Sequence, residues 1–334
     1  MRSGRCAVAA ALAVLVLAAS FAHLYLLQPG RPQVPALQGQ LQRHVIDHDG
    51  RRRSYWLYQP AGSAADAALL LALHGPLGNG HGMRELTARR LDLLADRHGL
   101  RVAYPDAGAG GWNGCGVAGP QRADDVGFLL AMVADVSARS GAAPARIHAF
   151  GFSDGGAMAL RLALHAPGRL ASLSMAAVRL SHISVPVGAS GAAMLPPMLL
   201  INGSADRFEH AECAVGGGTG VAAAHAMAAW LSGGDAGALS PAPHESPPGA
   251  VINRQWRGRR GSLRLYLVTG GGHTLPQPYV RYPRVFGPTY AGFDGLAAIA
   301  GFIAETNAPS QATAPSLGAS AAAQHGAGDY PMDD

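Results

Sequence analysis

The chain has 334 residues, of which 49% are hydrophobic and 14% charged, ample apolar material for one sizeable core. Its formal charge of +5 is carried by arginine without any lysine and is spread thinly. The densest basic cluster, Arg257, Arg259 and Arg260 beside Trp256, reads as a solvated hairpin end and is too short for a nucleic-acid surface, which shows a longer stripe.

Arg2 and Arg5 precede an apolar run over residues 6–27, interrupted only by Ser20 and His23. A basic start followed by a hydrophobic stretch is the pattern of an export signal, and Ser20-Phe21-Ala22 places small residues where a signal peptidase inspects the chain. Left uncleaved, the run is long enough to serve as a membrane anchor. Residues 1–27 are therefore expected to be a signal peptide or N-terminal anchor, and the protein to be secreted or periplasmic. A membrane partner is expected only if this segment is retained. Cys6 is one of three cysteines; Cys115 and Cys213 remain, an even pair in a compartment where disulfides persist. They are expected to bridge, the alternative being two buried thiols.

Residues 28–42 carry Pro29, Pro32 and Pro35 and read as a linker. The catalytic domain is expected over 43–306. Residues 44–47 and 54–58 form a hairpin around Asp49-Gly50, and 68–74 are a buried strand ending at Gly75. A helix is expected over 85–98, a strand over 101–104 and a helix over 124–140. Then follow a strand (146–150), a helix (155–165), strands at 171–176 and 198–201, a helix (221–231), a strand (262–268) and a closing helix (293–305). Residues 233–250, rich in Gly, Pro and Ser, read as an inserted loop, and 307–334 as a low-complexity disordered tail. Strands interleaved with helices imply an α/β fold, a mostly parallel central sheet with helices on both faces.

Gly151-Phe152-Ser153-Asp154-Gly155 is a G-x-S-x-G motif between a strand and a helix. That turn forces the serine into a strained conformation and lifts its hydroxyl above the sheet. A nucleophilic hydroxyl needs a base, and the base needs an orienting acid, in the chain order Ser, acid, His. His273 follows the strand 262–268 at the sheet edge where active sites of such folds gather. The acid is expected at Asp206, just after the strand 198–201; Glu209 and Asp235 are its competitors. The oxyanion hole needs two backbone N–H donors. Asp154 supplies one, and the other is due just past His74-Gly75, where Pro76 has no N–H. No metal-ligand spacing and no phosphate loop is present, so no metal or other cofactor is implied.

The chain resembles the secreted esterases that include polyhydroxybutyrate depolymerases and feruloyl and acetylxylan esterases. The resemblance rests on Leu73-His74-Gly75, Tyr104-Pro105-Asp106, Trp112-Asn113, Asp124-Asp125-Val126-Gly127-Phe128-Leu129, the serine motif, Asn202-Gly203-Ser204-Ala205-Asp206, Gly272-His273-Thr274 and Gly287-Pro288-Thr289. It implies the α/β-hydrolase fold, a serine esterase whose nucleophile, base and acid are Ser153, His273 and Asp206, and a substrate site lined by His74, Trp112, Asn113 and Leu275. Two departures stand out. Leu77 must supply the amide that Pro76 lacks, and Leu275 replaces a tryptophan common after His-Thr, removing an aromatic wall. The partner is a small or oligomeric ester; no spare folded segment offers a polymer-binding module. The alternative class is a hydrolase-fold binding protein impaired by Pro76, and a serine peptidase ranks last.

Overall fold

The computed structural model describes residues 2–27, 30–114, 123–178, 194–208, 227, 231 and 247–307. Its centre is a nine-stranded sheet in the order β1-β2-β4-β3-β5-β6-β7-β9-β8. The strands are β1 (Gln40–His48), β2 (Arg51–Gln59), β3 (Leu69–Leu73), β4 (Arg101–Pro105), β5 (Ile147–Phe152), β6 (Ser172–Ala176), β7 (Met198–Gly203), β8 (Val251–Gly258) and β9 (Gly261–Val268). From β4 to β9 neighbouring strands run parallel, whereas the hairpins β1–β2 and β8–β9 close the two edges antiparallel. This is the expected α/β-hydrolase architecture.

The unbroken apolar run of β3 follows from burial on both faces. Leu69, Leu71 and Leu73 point into one core, packed with Phe128, Met132, Met158 and Leu162 of the helices α4 (Asp125–Ser140) and α5 (Asp154–His165). Leu70 and Ala72 point into the other, with Leu91 and Leu94 of α3 (Arg90–His98) and Leu296, Ile299 and Phe302 of α6 (Gly295–Asn307). Alternating side chains thus fill two helix layers.

Several elements differ from expectation. The helix expected over 85–98 is two, α2 (Gly80–Leu86) and α3, separated by Ala88 and Arg89 at φ 49° and 54°. Its periodicity conceals two competing demands. The Thr87 hydroxyl donates to the Met83 and Arg84 carbonyls, and the turn lets the Arg84 guanidinium reach buried Asp92 at 2.5 Å. β1 begins at Gln40, inside the span read as linker. Upstream, Gly30 N–H donates to Arg281 O at 2.7 Å and Gln33 N–H to Tyr279 O at 2.8 Å. β8 had no sequence signal because an edge strand carries the alternately exposed pattern Val-Ile-Asn-Arg-Gln-Trp-Arg-Gly; Arg259 and Arg260 sit in its turn to β9.

The N-terminal residues form α1 (Arg2–Phe21) and a π-helical turn, Ala22–Leu27. Among the described residues no helix is long and apolar enough to cross a membrane. The expected Cys115–Cys213 bridge lies outside the described residues, as do residues 233–246 of the insertion, 308–334 of the tail, and all of the 221–231 helix except Met227 and Leu231.

At the edge where the parallel strands begin, His148 is fully buried, its Nδ1 2.7 Å from Ser172 Oγ and its Nε2 2.9 Å from Asn307 Oδ1. Burial holds its pKa below the ordinary histidine value. The unfolded chain takes up a proton as pH falls through about 6.5, and the folded chain does not. The unfolded state then binds more protons, so stability is complete above that pH and declines below it. Thermal denaturation is therefore expected to give a lower Tm at about pH 5 than at about pH 7.5, with a smaller difference in His148→Gln.

Candidate active site

β5 ends at Phe152, and Ser153 caps α5 with φ 55° and ψ −123°, a strained conformation for a residue with a side chain. Its N–H donates to Ala176 O of β6 at 2.9 Å, which anchors the elbow to the neighbouring strand. The turn is tight enough that a Cβ on Gly155 would lie 2.3 Å from Leu73 O. This is the physical content of the motif's last glycine.

Asp206 and His273 arrive from β7 and β9. The ends of these strands touch backbone to backbone: a Cβ on Gly203 would lie 2.2 Å from Gly271 O and 2.5 Å from Gly272 O. Ala205 N–H donates to Gly271 O at 2.9 Å, and Gly270 N–H to Ser204 Oγ at 2.8 Å. Across this seam His273 Nδ1 stands 2.8 Å from Asp206 Oδ2, and its Nε2 2.8 Å from Ser153 Oγ. Asp206 Oδ1 accepts from Phe208 N–H at 3.0 Å. A carboxylate beside Nδ1 selects the tautomer with the proton there, leaving Nε2 to accept from the serine hydroxyl. Both Ser153 and His273 are buried.

The motif Gly287-Pro288-Thr289 holds the histidine loop. Pro288 O accepts from Gly272 N–H at 3.0 Å and from Thr274 Oγ1 at 3.1 Å, and Phe286 O accepts from His273 N–H at 2.7 Å.

The loop after β3 borders the nucleophile, since a Cβ on Gly75 would stand 3.3 Å from Ser153 Cβ. Gly75 O accepts from Gly78 N–H at 3.2 Å and from His74 Nδ1 at 2.7 Å. This pinned turn carries Pro76 and Leu77, the latter at φ 57° with its side chain wholly exposed. Asp154 opens α5, where helix N–H groups point outward along the axis.

The four residues expected to line the substrate site have other work. Leu275 is 0% exposed and packs in the core beneath α6, against the position of Gly295. The expectation that it walls the cleft is thereby corrected: the chain turns it inward after His273. The His74 side chain is buried with both ring nitrogens engaged, Nδ1 on Gly75 O and Nε2 accepting from Ala107 N–H at 3.0 Å. Burial keeps its pKa below the ordinary value, and it stays neutral. Buried Trp112 donates from Nε1 to His74 O at 2.9 Å. Asn113 N–H donates to Asp125 Oδ2 at 2.8 Å, and Asn113 O accepts from Arg161. His74 and Trp112 through their side chains, and Asn113 through its backbone, therefore brace the loop.

The aromatic surroundings of the base come instead from residues that sequence reasoning missed. Phe208, two residues past the acid, packs on the His273 ring with centroids 5.0 Å apart and on Phe286 at 5.1 Å. Phe152 meets His273 edge-on at 5.5 Å. Their only sequence signal is adjacency to the serine, to the acid and to Gly287-Pro288.

A second Ser–His pair, Ser172 and His148, is wholly buried at the opposite sheet edge, and there the other ring nitrogen of His148 meets the Asn307 amide rather than a carboxylate. Among the described residues no group of three or more His, Cys, Asp or Glu side chains is placed to hold a metal ion.

No protein-family model matches the chain. A protein of Nocardia uniformis subsp. tsuyamanensis named "Putative esterase NocK" is 30% identical over 269 residues, covering 72% of this chain and 76% of that protein. Among solved structures, the acetyl xylan esterase from Aspergillus awamori matches with a TM-score of 0.53 at 18% identity, over 72% of this chain and 96% of the other. The poly(3-hydroxybutyrate) depolymerase LpqC from Bordetella parapertussis matches less closely, with a TM-score of 0.42 at 18% identity over 54% of this chain and 70% of the other.

Gly203→Ala is expected to force the β7 and β9 ends apart, destabilising the fold by about 1–3 kcal/mol and lowering ester hydrolysis by more than the unfolded fraction accounts for. Denaturant midpoints and initial rates on one preparation separate the two effects.

Proposed function

Because the chain belongs to the esterase family of the α/β-hydrolase superfamily and is a carboxylic ester hydrolase, we propose that Ser153, His273 and Asp206 carry its chemistry. The observation that supports this reading is the hydrogen-bond chain from Asp206 through His273 to the Ser153 hydroxyl, 2.8 Å at each link, ending on a strained elbow. As Ser153 Oγ attacks the ester carbonyl carbon, His273 Nε2 takes its proton. The oxyanion of the tetrahedral adduct accepts from Asp154 N–H and Leu77 N–H. Collapse breaks the bond to the alkoxy oxygen, which leaves with the proton from His273, and an acyl-serine remains. Water then attacks with His273 again as base, releasing the carboxylic acid and restoring Ser153. Asp206 holds the tautomer throughout and stabilises the transient imidazolium.

The substrates are soluble hydroxyalkanoate oligomers, feruloyl or acetyl esters, or short-chain esters. The protein works outside the cytoplasm, secreted or periplasmic. The basic start followed by α1, whose Val14, Leu15, Val16 and Leu17 are all exposed, supports a signal or anchor there. A Cys115–Cys213 disulfide belongs to the same reading.

Ser153→Ala is expected to lower kcat/KM for p-nitrophenyl butyrate by ~10⁴-fold or more; equal activity in the variant removes the assignment. Pro76→Ala adds the amide that this loop lacks. If Leu77 already fills that place, kcat changes by less than about threefold. A rise of ~100-fold means that the native loop is a donor short and favours the impaired reading.

A further inference from the structure

Among the described residues, several of the side chains exposed around the Ser153 site are apolar or cationic. Leu77, on the turn beside the nucleophile, is 107% exposed; Val285 is 48% exposed and Phe208 38%. Val285 belongs to the 3₁₀ turn Arg284–Phe286, whose Phe286 carbonyl holds the His273 amide and whose ring meets Phe208. Between and beside them Arg207, Arg281 and Arg284 are exposed. Among the described residues, the carboxylates that the geometry above places at this rim are Asp206, engaged with His273, and Asp154 at the start of α5.

The N-terminal segment leaves the fold at the same rim. Gly30 N–H donates to Arg281 O, and the π-helical turn Ala22–Leu27 packs against the 3₁₀ turn that carries Val285. Beyond it, Val14, Leu15, Val16 and Leu17 of α1 are each more than half exposed. At about 100° per residue these four cover the helix circumference, so α1 has no polar face over that turn. A turn of this kind favours an apolar medium.

We propose that the mouth of the Ser153 site is turned toward a lipid surface containing anionic headgroups, with α1 seated in the lipid and Leu77, Val285 and Phe208 at headgroup depth. The three arginines around the mouth match phosphate charge, which attracts basic residues next to a bilayer. Exposed leucine, valine and phenylalanine lose their contact with water there. Ester substrates that partition from water into the headgroup layer are then concentrated next to Ser153. This orientation deepens the functional reading above and rests on Ser153 being the esterase site, but its test needs no turnover.

The full-length chain is bound to mixed phosphatidylcholine–phosphatidylglycerol vesicles with bromine-labelled acyl chains, which quench tryptophan fluorescence at short range. Val285→Trp places a reporter at the mouth, and Ala61→Trp places one at the opposite sheet edge. With the unmodified chain as background, quenching is expected for Val285→Trp and not for Ala61→Trp. Equal quenching at both sites, quenching at Ala61 alone, or absence of vesicle binding overturns the proposal. Arg281→Gln combined with Arg284→Gln is expected to weaken binding to the mixed vesicles by roughly fivefold per arginine and to leave binding to pure phosphatidylcholine unchanged. Unchanged binding to both overturns it. Retained hydrolysis of p-nitrophenyl acetate in vesicle-free buffer shows that the variants are folded, and loss of the Ser153→Ala effect in that assay would fault the esterase site rather than the orientation.

Discussion

Everything at the active site depends on how closely two strand ends approach. Gly203 and Gly271-Gly272 meet backbone to backbone, with room for no Cβ between them. Only at that separation can a carboxylate after β7 and an imidazole after β9 share a hydrogen bond while the imidazole still reaches a serine on β5. The sheet order places β6 between β5 and β7, so the histidine loop must lean back over two strands to meet Ser153. Pro288 and Phe286 carbonyls hold it there. The contact is made of backbone, so a side chain added at Gly203 cannot be accommodated by a rotamer change.

A second rigid unit faces the first. His74, Trp112 and the Ala107 amide form one buried brace under the turn after β3. Asp106 extends it, accepting from Gly80 N–H at 2.8 Å and from Ser54 Oγ at 2.6 Å. Asp125 joins the Asn113 amide to the buried guanidinium of Arg53. These polar residues are satisfied inside the protein, and the energy of each buried hydrogen bond depends on its partners staying in place. Their effect is to pin the Gly75 carbonyl and so to define where Pro76 and Leu77 stand beside the nucleophile.

The sequence made the architecture legible because strands buried on both faces read as unbroken apolar runs, and β3 is such a run. The elbow was legible for the same reason: Gly151-x-Ser-x-Gly155 is a backbone requirement written as residue identity. Ser153, Asp206 and His273 were placed from chain order and strand ends, and the structure brings these side chains within hydrogen-bonding range. Less was legible where side-chain direction decides. Leu275 follows the base directly yet points into the core, and His74 looks like a ligand contact until both of its nitrogens are seen to serve the backbone. Phe208 and Phe286 supply the aromatic contact, from positions that sequence neighbourhood alone does not mark. The break between α2 and α3 was hidden because Leu86, Leu93 and Leu94 keep helical spacing across it.

The central claim is that the Ser153 hydroxyl is activated by His273. A fluorophosphonate reacts only with such a hydroxyl, and intact-mass and peptide mass spectrometry read the product directly. The account predicts one adduct per chain, on the peptide containing Ser153, lost in His273→Ala. An unlabelled chain, or an adduct on another residue with Ser153 unmodified, would contradict it.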